Sequence, residues 1–122
     1  MWVLGSDRVF SVNDINACHY YRFALTFLGM IRSFGNRETS RLFETGECRR
    51  IPSDIQRVAR RKLLQIHAAV ELEFLRVPPG NRLEPLKGDR KGQYSIRIND
   101  QWRICFSWSG GDAYDVEITD YH

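Results

Sequence analysis

The sequence predicts an α+β domain of two layers, in which helices come first and pack on one face of a small, mainly antiparallel sheet. Three observations predict it. Apolar residues recur every three or four positions from Ile55 to Ile66, which is typical of a helix with one apolar stripe. Between residues 95 and 119 the apolar period is two, which is typical of strands with one buried face. A Pro-Pro-Gly segment at 78–80 separates the two regions.

A first short helix is expected from Arg37 to Glu44. In this register Leu42 and Phe43 point inward. Gly46 follows at the position where glycine commonly ends a helix, because it adopts a left-handed conformation without steric cost.

The second and longer helix is expected to begin at Ser53, directly after Pro52. Ser53 and Gln56 have the spacing of a capping box, in which the two side chains bind each other's free backbone amides. The predicted inward positions are Ile55, Val58, Ala59, Leu63 and Ile66, and the outward ones are mostly Arg57, Arg60, Arg61 and Lys62. Near His67, which we expect to be partly buried or a cap, the pattern weakens. Residues 68–75 then form either a second short helix or a continuation.

Three antiparallel strands should follow, joined by turns at 99–101 and 109–112. The residues predicted on the apolar face are Ile96, Ile98, Trp102, Ile104, Phe106, Trp108, Tyr114, Val116 and Ile118. The opposite face should carry Ser95, Arg97, Arg103, Cys105 and Ser107, together with Asp115 and Glu117. With helices on the apolar side only, the polar side should be open to a ligand.

Residues 1–29 differ from the rest of the chain, because their aromatic side chains follow neither period. We interpret them as an N-terminal extension. The patterned chain begins at Met30, where Ile31 and Phe34 are predicted to form a short strand. The expected organisation is therefore an extension followed by one domain over 30–122.

Composition excludes several classes of protein. The 122 residues are 43% apolar and 27% charged, and no apolar run approaches the roughly 18 residues of a membrane span. Residues 1–20 lack the basic start and cleavage site of a secretory signal, so we expect a cytoplasmic protein without membrane contact. Cys18, Cys48 and Cys105 lack the spacing of a disulfide framework or a zinc site. No metal or cofactor motif is present in the sequence.

Basic residues are the strongest chemical signal, because 15 of the 18 are arginine. Arginine binds phosphate through two parallel hydrogen bonds, so a phosphate-bearing partner is one interpretation, and charge-paired helix surfaces are the other. Residues 82–94 form a glycine-containing loop with four basic residues, and Lys87 and Arg90 flank Gly88. Arg97 and Arg103 should point from neighbouring strands to the same face. The alternative to an anion between these cations is pairing with Glu84, Asp89, Asp115 or Glu117.

The last three residues, Asp120, Tyr121 and His122, combine a carboxylate, a phenol and an imidazole. They follow Ile118 closely, so the end of the last strand should hold them near the edge of the sheet. Such groups can exchange protons near neutral pH. The alternative interpretation is a solvated tail.

From Met30 to His122 the chain resembles the HigB toxins of the RelE/ParE superfamily, also called plasmid maintenance killer proteins. The matching segments are Met30-Ile-Arg-Ser-Phe34, Leu86-Lys-Gly-Asp-Arg90, Tyr94-Ser-Ile96, Trp102-Arg-Ile104 and Asp120-Tyr-His122. The resemblance implies a RelE-like fold. It further implies a toxin of a type II toxin–antitoxin system that inhibits translation by cutting mRNA in the ribosomal A site. The implied partners are the ribosome, mRNA and a helix-turn-helix antitoxin of the HigA type, with DNA contacted only through the antitoxin.

The resemblance also implies roles for individual residues in cleavage through the RNA 2′-hydroxyl, without a metal. Positive charge for the phosphates would come from Arg103, Lys87, Arg90, Lys91 and Arg97. Proton transfer would involve Asp120, Tyr121 and His122, and Glu84 stands where some family members have histidine. Which group is base and which is acid stays open. Tyr94 would stack on a splayed base.

Two rival functions stay open. One is a ParE-like gyrase inhibitor without nuclease chemistry, which would need neither Tyr121 nor His122. The other is a noncatalytic module that binds RNA or a protein partner, with residues 1–29 folded over the basic face.

Overall fold

The computed structural model describes residues 30–120, and the predicted two-layer α+β fold is confirmed there. Helices α1 (Arg37–Thr45) and α2 (Ser53–Ala68) precede strands β1 (Glu84–Pro85), β2 (Gln93–Arg97), β3 (Trp102–Ser109) and β4 (Asp112–Asp120). Short 3-10 helices span Leu72–Arg76, Pro79–Asn81 and Gly88–Arg90. The predicted extension 1–29 and the candidate site residues Tyr121 and His122 lie outside the described residues.

The sheet is antiparallel in the order β1-β2-β3-β4. The three predicted strands are β2, β3 and β4, whereas β1 has only two residues and is too short to show a period. Ile31 and Phe34 form isolated parallel bridges with Ala113 and Val116 on β4. The predicted strand at this position is therefore reduced to two bridges along the outer edge of the sheet.

Helix α1 begins at Arg37 and has the orientation predicted, and it ends at Thr45, one residue after the predicted Glu44. The Thr39 amide donates to Asn36 Oδ1 at 2.8 Å at its start, and Gly46, with φ of 92°, ends it. Leu42 is fully buried, and the half-buried Phe43 ring lies 5.2 Å from the ring of His67. His67 is buried as expected and accepts a hydrogen bond from the Ile31 amide.

Helix α2 begins at Ser53 as predicted, but the predicted capping box is wrong. Pro52 is the N-cap residue, and no side chain caps the helix. Gln56 Nε2 instead donates to the carbonyl oxygens of Cys48 at 2.6 Å and Ile51 at 2.8 Å. The Cys48 carbonyl also accepts from the Ile51 amide at 3.1 Å, so Gln56 completes a hydrogen-bonded turn in the connection between the helices and does not cap the helix end.

The apolar stripe of α2 is buried as predicted, but Lys62 is not outward. Its side chain is buried, and Nζ donates to Asn81 Oδ1. Burial lowers the pKa of Lys62, and the nearby charges of Arg61 and Arg97 lower it further. The cause is tertiary, because the chain after α2 turns back through its 3-10 helices and covers this side of the helix. The α-helix itself ends at Ala68 and does not continue.

A β-bulge in β4 overturns the prediction that Tyr114 faces the core. Cys105 pairs with Glu117, but Ser107 pairs with Tyr114, so β4 has one extra residue between these pairs. Asp115 has a positive φ of 54° at this point. The extra residue reverses the alternation. Tyr114 is therefore exposed, and Ala113 is the buried neighbour.

The core lies between α2 and the apolar face of the sheet. Its fully buried side chains include Leu63 and Ile66 from α2, with Ile96, Ile104 and Phe106 from the central strands. In residues 30–120, no helix combines the length and apolar character needed to cross a bilayer. The other face of the sheet is left for the polar residues.

Candidate functional site

Arg103 is the central residue of the polar face. It lies on β3, opposite Arg97 of β2 and Thr119 of β4. Although charged, it is only 7% exposed. Its Nε donates to Ser95 Oγ at 2.7 Å, and its Nη2 donates to the carbonyl oxygen of Arg82 at 2.7 Å. The guanidinium is thus held on the polar side of the sheet, as predicted.

Two residues that hold Arg103 were not among the predicted site residues. Ser95 was predicted on this face but without a role, and it lies diagonally across from Arg103 because it pairs with Cys105. Arg82 contributes through its backbone, which has φ of 47°. Strand alternation identifies the face of Ser95, whereas nothing in the sequence marks a carbonyl contributed by an arginine.

Glu84 lies beside Arg103. It is on β1, opposite Ser95, and its Oε2 is 3.8 Å from Arg103 Nη2. Its side chain is 47% exposed, so solvent reaches the carboxylate. The structure therefore joins a buried guanidinium to an accessible carboxylate, two predicted site residues that are 19 positions apart in the chain.

Arg97 shares the polar face with Arg103, as predicted, and forms an ion pair with Asp100 in the turn between β2 and β3. Asp100 was not among the carboxylates considered for this pairing. Because the Arg97 side chain is partly exposed and that of Asp100 almost fully so, the pair lies in solvent at the edge of the sheet. A surface pair of this kind contributes little to stability.

The predicted phosphate-binding loop contains the 3-10 helix Gly88–Arg90. Lys87 and Lys91 flank this turn and are exposed. Arg90 instead reaches across the sheet, where its Nη2 lies 2.6 Å from Glu117 Oε2 on β4, and its Nη1 donates to Gln93 Oε1. Pairing with Glu117 was one of the alternatives considered for the basic residues, and for Arg90 it is the one that forms.

The centre of the polar face is buried, so the prediction that this face is open to a ligand is wrong there. Ser95 and Cys105 are fully buried, and Leu86 is nearly so. The Leu86 amide donates to the Gln93 carbonyl at 2.8 Å, which holds the loop against β2. Burial raises the pKa of the Cys105 thiol, so the neutral form persists at neutral pH. Among the described residues of this face, the side chains of Glu84 and Arg97 are accessible to solvent.

Tyr94 is not brought together with these residues. It pairs with Phe106, and the two rings are 6.3 Å apart on the helix side of the sheet. Its side chain is half-buried against the core. Arg97 and Arg103 lie on the other side, because side chains alternate along a strand.

Asp120 ends β4 opposite Trp102, next to Thr119, which pairs with Arg103. Its exposed carboxylate accepts a hydrogen bond from Gln101 Nε2 at 3.1 Å. The end of β4 therefore lies beside the strand that carries Arg103. Because side chains alternate along a strand, the Asp120 side chain lies on the Trp102 side of the sheet, and that of Thr119 lies on the Arg103 side. Among the described groups, Arg103 and Arg97 can bind an anion, and Glu84 is the carboxylate beside Arg103 that can accept a proton.

Comparison with known proteins finds a matching family model and relatives that carry the same family name, HigB. The family model described as "RelE-like toxin of type II toxin-antitoxin system HigB" matches residues 32–122. The chain is 41% identical over 98 residues to "Endoribonuclease HigB" of Proteus vulgaris, covering 76% of this chain and 100% of the relative. It is 46% identical over 70 residues to "Toxin HigB-1" of Vibrio cholerae serotype O1, covering 57% of this chain and 74% of the relative. A solved structure, YafQ from E. coli strain BL21(DE3), aligns with a TM-score of 0.45 at 11% identity, over 75% of this chain and 93% of YafQ.

Proposed function

Since the chain belongs to the HigB-like family of RelE-like toxins from type II toxin–antitoxin systems, we propose that it is an endoribonuclease that cleaves mRNA on the ribosome. The observation that carries the proposal is the Arg103 guanidinium, fixed on the polar face beside the accessible Glu84 carboxylate and the end of β4. Membership of a type II family also means that the chain has an antitoxin partner.

The proposed reaction is attack of an RNA 2′-hydroxyl on the adjacent phosphate. A bond forms between the 2′-oxygen and phosphorus, and the bond from phosphorus to the 5′-oxygen breaks. The 2′-hydroxyl proton passes to a base, the phosphoryl oxygens gain negative charge, and the departing 5′-oxygen takes a proton. A positioned base or acid is worth about 10²–10⁴-fold in rate, and fixed positive charge stabilises the transition state.

The arrangement of charges suggests how the roles divide. Arg103 would bind the scissile phosphate, with Arg97 next to it on β2. The exposed Lys87 and Lys91 would bind neighbouring phosphates, and Arg90 would act mainly by fixing the loop to Glu117. Tyr94 is left out of the proposed site, because its ring packs on Phe106 behind the sheet.

Proton transfer in the proposal involves Glu84 and the chain end. Glu84 is the candidate base, because its carboxylate is accessible and 3.8 Å from Arg103. Asp120, Tyr121 and His122 are the remaining candidate proton carriers. Asp120 lies at the end of β4, and the other two residues follow it in the sequence.

The proposal includes the setting of the reaction. The ribosome would hold the mRNA so that the attacking and leaving oxygens are in line, which a small site on one sheet face cannot impose alone. The antitoxin would be a HigA-like helix-turn-helix protein, and DNA would be contacted only through it. Action on translating ribosomes places the toxin in the cytoplasm. Residues 30–122 would be the toxin domain, and 1–29 an appended segment.

The decisive experiment incubates the full chain with ribosomes programmed with a defined mRNA and maps the new 5′ ends. We expect cleavage within the A-site codon by the wild-type protein. A truncation after Thr119, which removes Asp120 to His122, should lose cleavage and keep antitoxin binding. Intact message with the wild-type protein would contradict the proposal. Cleavage by the truncated protein would remove the chain end from the mechanism, and growth inhibition without any cleavage would favour gyrase as the target.

A further inference from the structure

We propose that Ser95 is a positioning residue whose hydroxyl, together with the carbonyl of Arg82, fixes the Arg103 guanidinium for the scissile phosphate. The inference rests on the proposed function, and it concerns how Arg103 is held. Nothing in the family resemblance or the names of the relatives assigns a role to Ser95 or to Arg82.

The hydrogen bonds approach the guanidinium from two sides. Arg103 Nε donates to Ser95 Oγ at 2.7 Å, and Nη2 donates to Arg82 O at 2.7 Å. Nη2 also lies 3.4 Å from the Ser95 carbonyl oxygen, which it uses as a weaker acceptor. The guanidinium is planar and its donors are fixed relative to one another. Holding Nε and Nη2 therefore fixes the whole plane and the direction of Nη1.

Burial makes these contacts effective. Ser95 is fully buried and Arg103 is 7% exposed, so water cannot easily replace the serine hydroxyl. Hydrogen bonds to a charged donor are stronger than neutral ones, and a low local dielectric strengthens them further. Ser95 is also clamped between strands, because it pairs with Glu84 on one side and Cys105 on the other. Its Cβ therefore cannot move away from Arg103 without disturbing both neighbours.

The carbonyl of Arg82 is aimed by an unusual backbone conformation. Arg82 has φ of 47° and ψ of 56°, the left-handed region that non-glycine residues seldom occupy. The residue before it, Asn81, is fully buried and accepts from Lys62 Nζ, and its Nδ2 donates to the Leu75 carbonyl at 3.1 Å. This buried network holds the chain in the strained conformation, and the strain places a carbonyl oxygen against Arg103.

The orientation of the Arg103 guanidinium should affect the rate of mRNA cleavage more than the binding of mRNA. A guanidinium that is already oriented stabilises transition-state charge without reorganising, and a displacement of about 1 Å can cost about 10²-fold in rate. The ground-state phosphate is less sensitive to the angle of one guanidinium. Loss of the Ser95 hydroxyl should therefore lower the cleavage rate constant and leave the toxin concentration for half-maximal cleavage nearly unchanged.

The kinetic test measures single-turnover mRNA cleavage on programmed ribosomes by the full chain. Ser95→Ala should slow cleavage roughly 10- to 100-fold. Ser95→Thr, which keeps the hydroxyl, should recover most of the rate. Ser107→Ala is the matched control, because Ser107 lies on the same face of β3 but about 13 Å from Arg103 along the strand, and it should cleave like wild type. Should Ser95→Ala fail to fold, Ser95→Cys keeps the volume and weakens the acceptor.

An independent readout is the NMR signal of the Arg103 Nε proton. In the wild-type protein its exchange with water should be slow, and in Ser95→Ala it should be at least about ten-fold faster, because the buried acceptor of this proton is lost. Wild-type cleavage by Ser95→Ala, or unchanged exchange, would overturn the inference. Equal slowing in the alanine and threonine variants without a change in exchange would indicate a packing role and also overturn it. If the wild-type protein leaves mRNA intact, the proposed function itself fails, and the exchange result then reports the contact alone.

Discussion

Each face of the sheet has a buried centre, but the buried side chains of the two faces differ in chemistry. On the helix side, Ile96, Ile104 and Phe106 are fully buried apolar side chains beneath α2. On the other side, Ser95 and Cys105 are just as deeply buried. Burial of the central residues therefore does not distinguish the two faces. The second face differs because it buries a charged group, the Arg103 guanidinium. This group donates hydrogen bonds to Ser95 Oγ and to the Arg82 carbonyl oxygen.

This difference separates stability from chemistry. Apolar contacts on the helix side depend on filling the available volume at close packing and involve no donor or acceptor that must be paired. Hydrogen bonds on the polar side depend on direction, and their loss leaves a charged group unsatisfied. Substitutions on the helix side should therefore change the free energy of unfolding, and substitutions around Arg103 should change activity first.

The largest expected effect is on the helix side. Phe106→Ala should reduce the free energy of unfolding by about 3–5 kcal/mol, because it removes a fully buried ring and leaves a cavity. Urea unfolding followed by circular dichroism measures it. Phe106→Leu, which fills more of the cavity, should cost clearly less. A loss below about 1 kcal/mol for the alanine variant would mean that the helix side is not the main source of stability.

The next largest effect is on the polar side and concerns rate. Arg103→Lys keeps the charge but removes the Nε donor to Ser95, so mRNA cleavage should fall about 10²–10³-fold. Antitoxin affinity, measured by calorimetry, should stay near the wild-type value and report an intact fold. Arg97→Lys is the comparison variant, and its loss should be smaller because Arg97 pairs with an exposed carboxylate. Equal losses for the two variants would remove the special role of Arg103.

A smaller effect tests the connection between the helices. Gln56→Ala should cost about 1–3 kcal/mol of unfolding free energy, because the Ile51 carbonyl loses the Gln56 amide and the Cys48 carbonyl keeps only the Ile51 amide. Ser53→Ala should be close to neutral, since Ser53 makes no capping bond. Thermal unfolding of the Gln56→Ala and Ser53→Ala variants distinguishes the loop contacts of Gln56 from a capping box. A larger loss for Ser53→Ala than for Gln56→Ala would restore the capping box.

The smallest expected effect is at the ion pair of the loop over the polar face. Glu117→Gln should cost at most about 1 kcal/mol, because both side chains of the Arg90–Glu117 pair retain some solvent exposure. The difference in unfolding free energy from wild type should be smaller in 1 M salt, where the Debye screening length is about 3 Å. A loss of several kcal/mol that salt does not change would show that this pair behaves as buried.

Local periodicity was enough to predict much of the fold. Spacing over a few positions predicts the starts of α1 and α2 and the strands β2, β3 and β4, and these predictions are confirmed. Errors occur where a distant segment intervenes. Gln56 binds loop carbonyls instead of Ser53, and Lys62 is covered by Asn81. The bulge at Asp115 turns Tyr114 outward. The Asp115 amide donates to Ser33 Oγ, 82 residues earlier in the chain.

In the candidate site, too, local periodicity predicts some features, and contacts with distant segments decide others. Alternation along β2 and β3 was sufficient to place Arg97 and Arg103 on one face, and the prediction is confirmed. It also places Tyr94 on the opposite face, although the resemblance had assigned that residue to RNA. The pairing of Arg90 with Glu117 and of Arg97 with Asp100 could not be chosen from the sequence, because several carboxylates were available to each.

The sequence by itself determined the fold class, the order of the elements and the face on which the arginines lie. These properties follow from hydrophobic periods and turn residues that act over a few positions. Only the tertiary structure decided that Arg103 is buried, and that Ser95, Glu84 and the backbone of Arg82 surround it. The physical reason is that burial and the partner of a charge depend on which distant segments cover it. That information resides in the register of β1 and in the left-handed turn at Arg82.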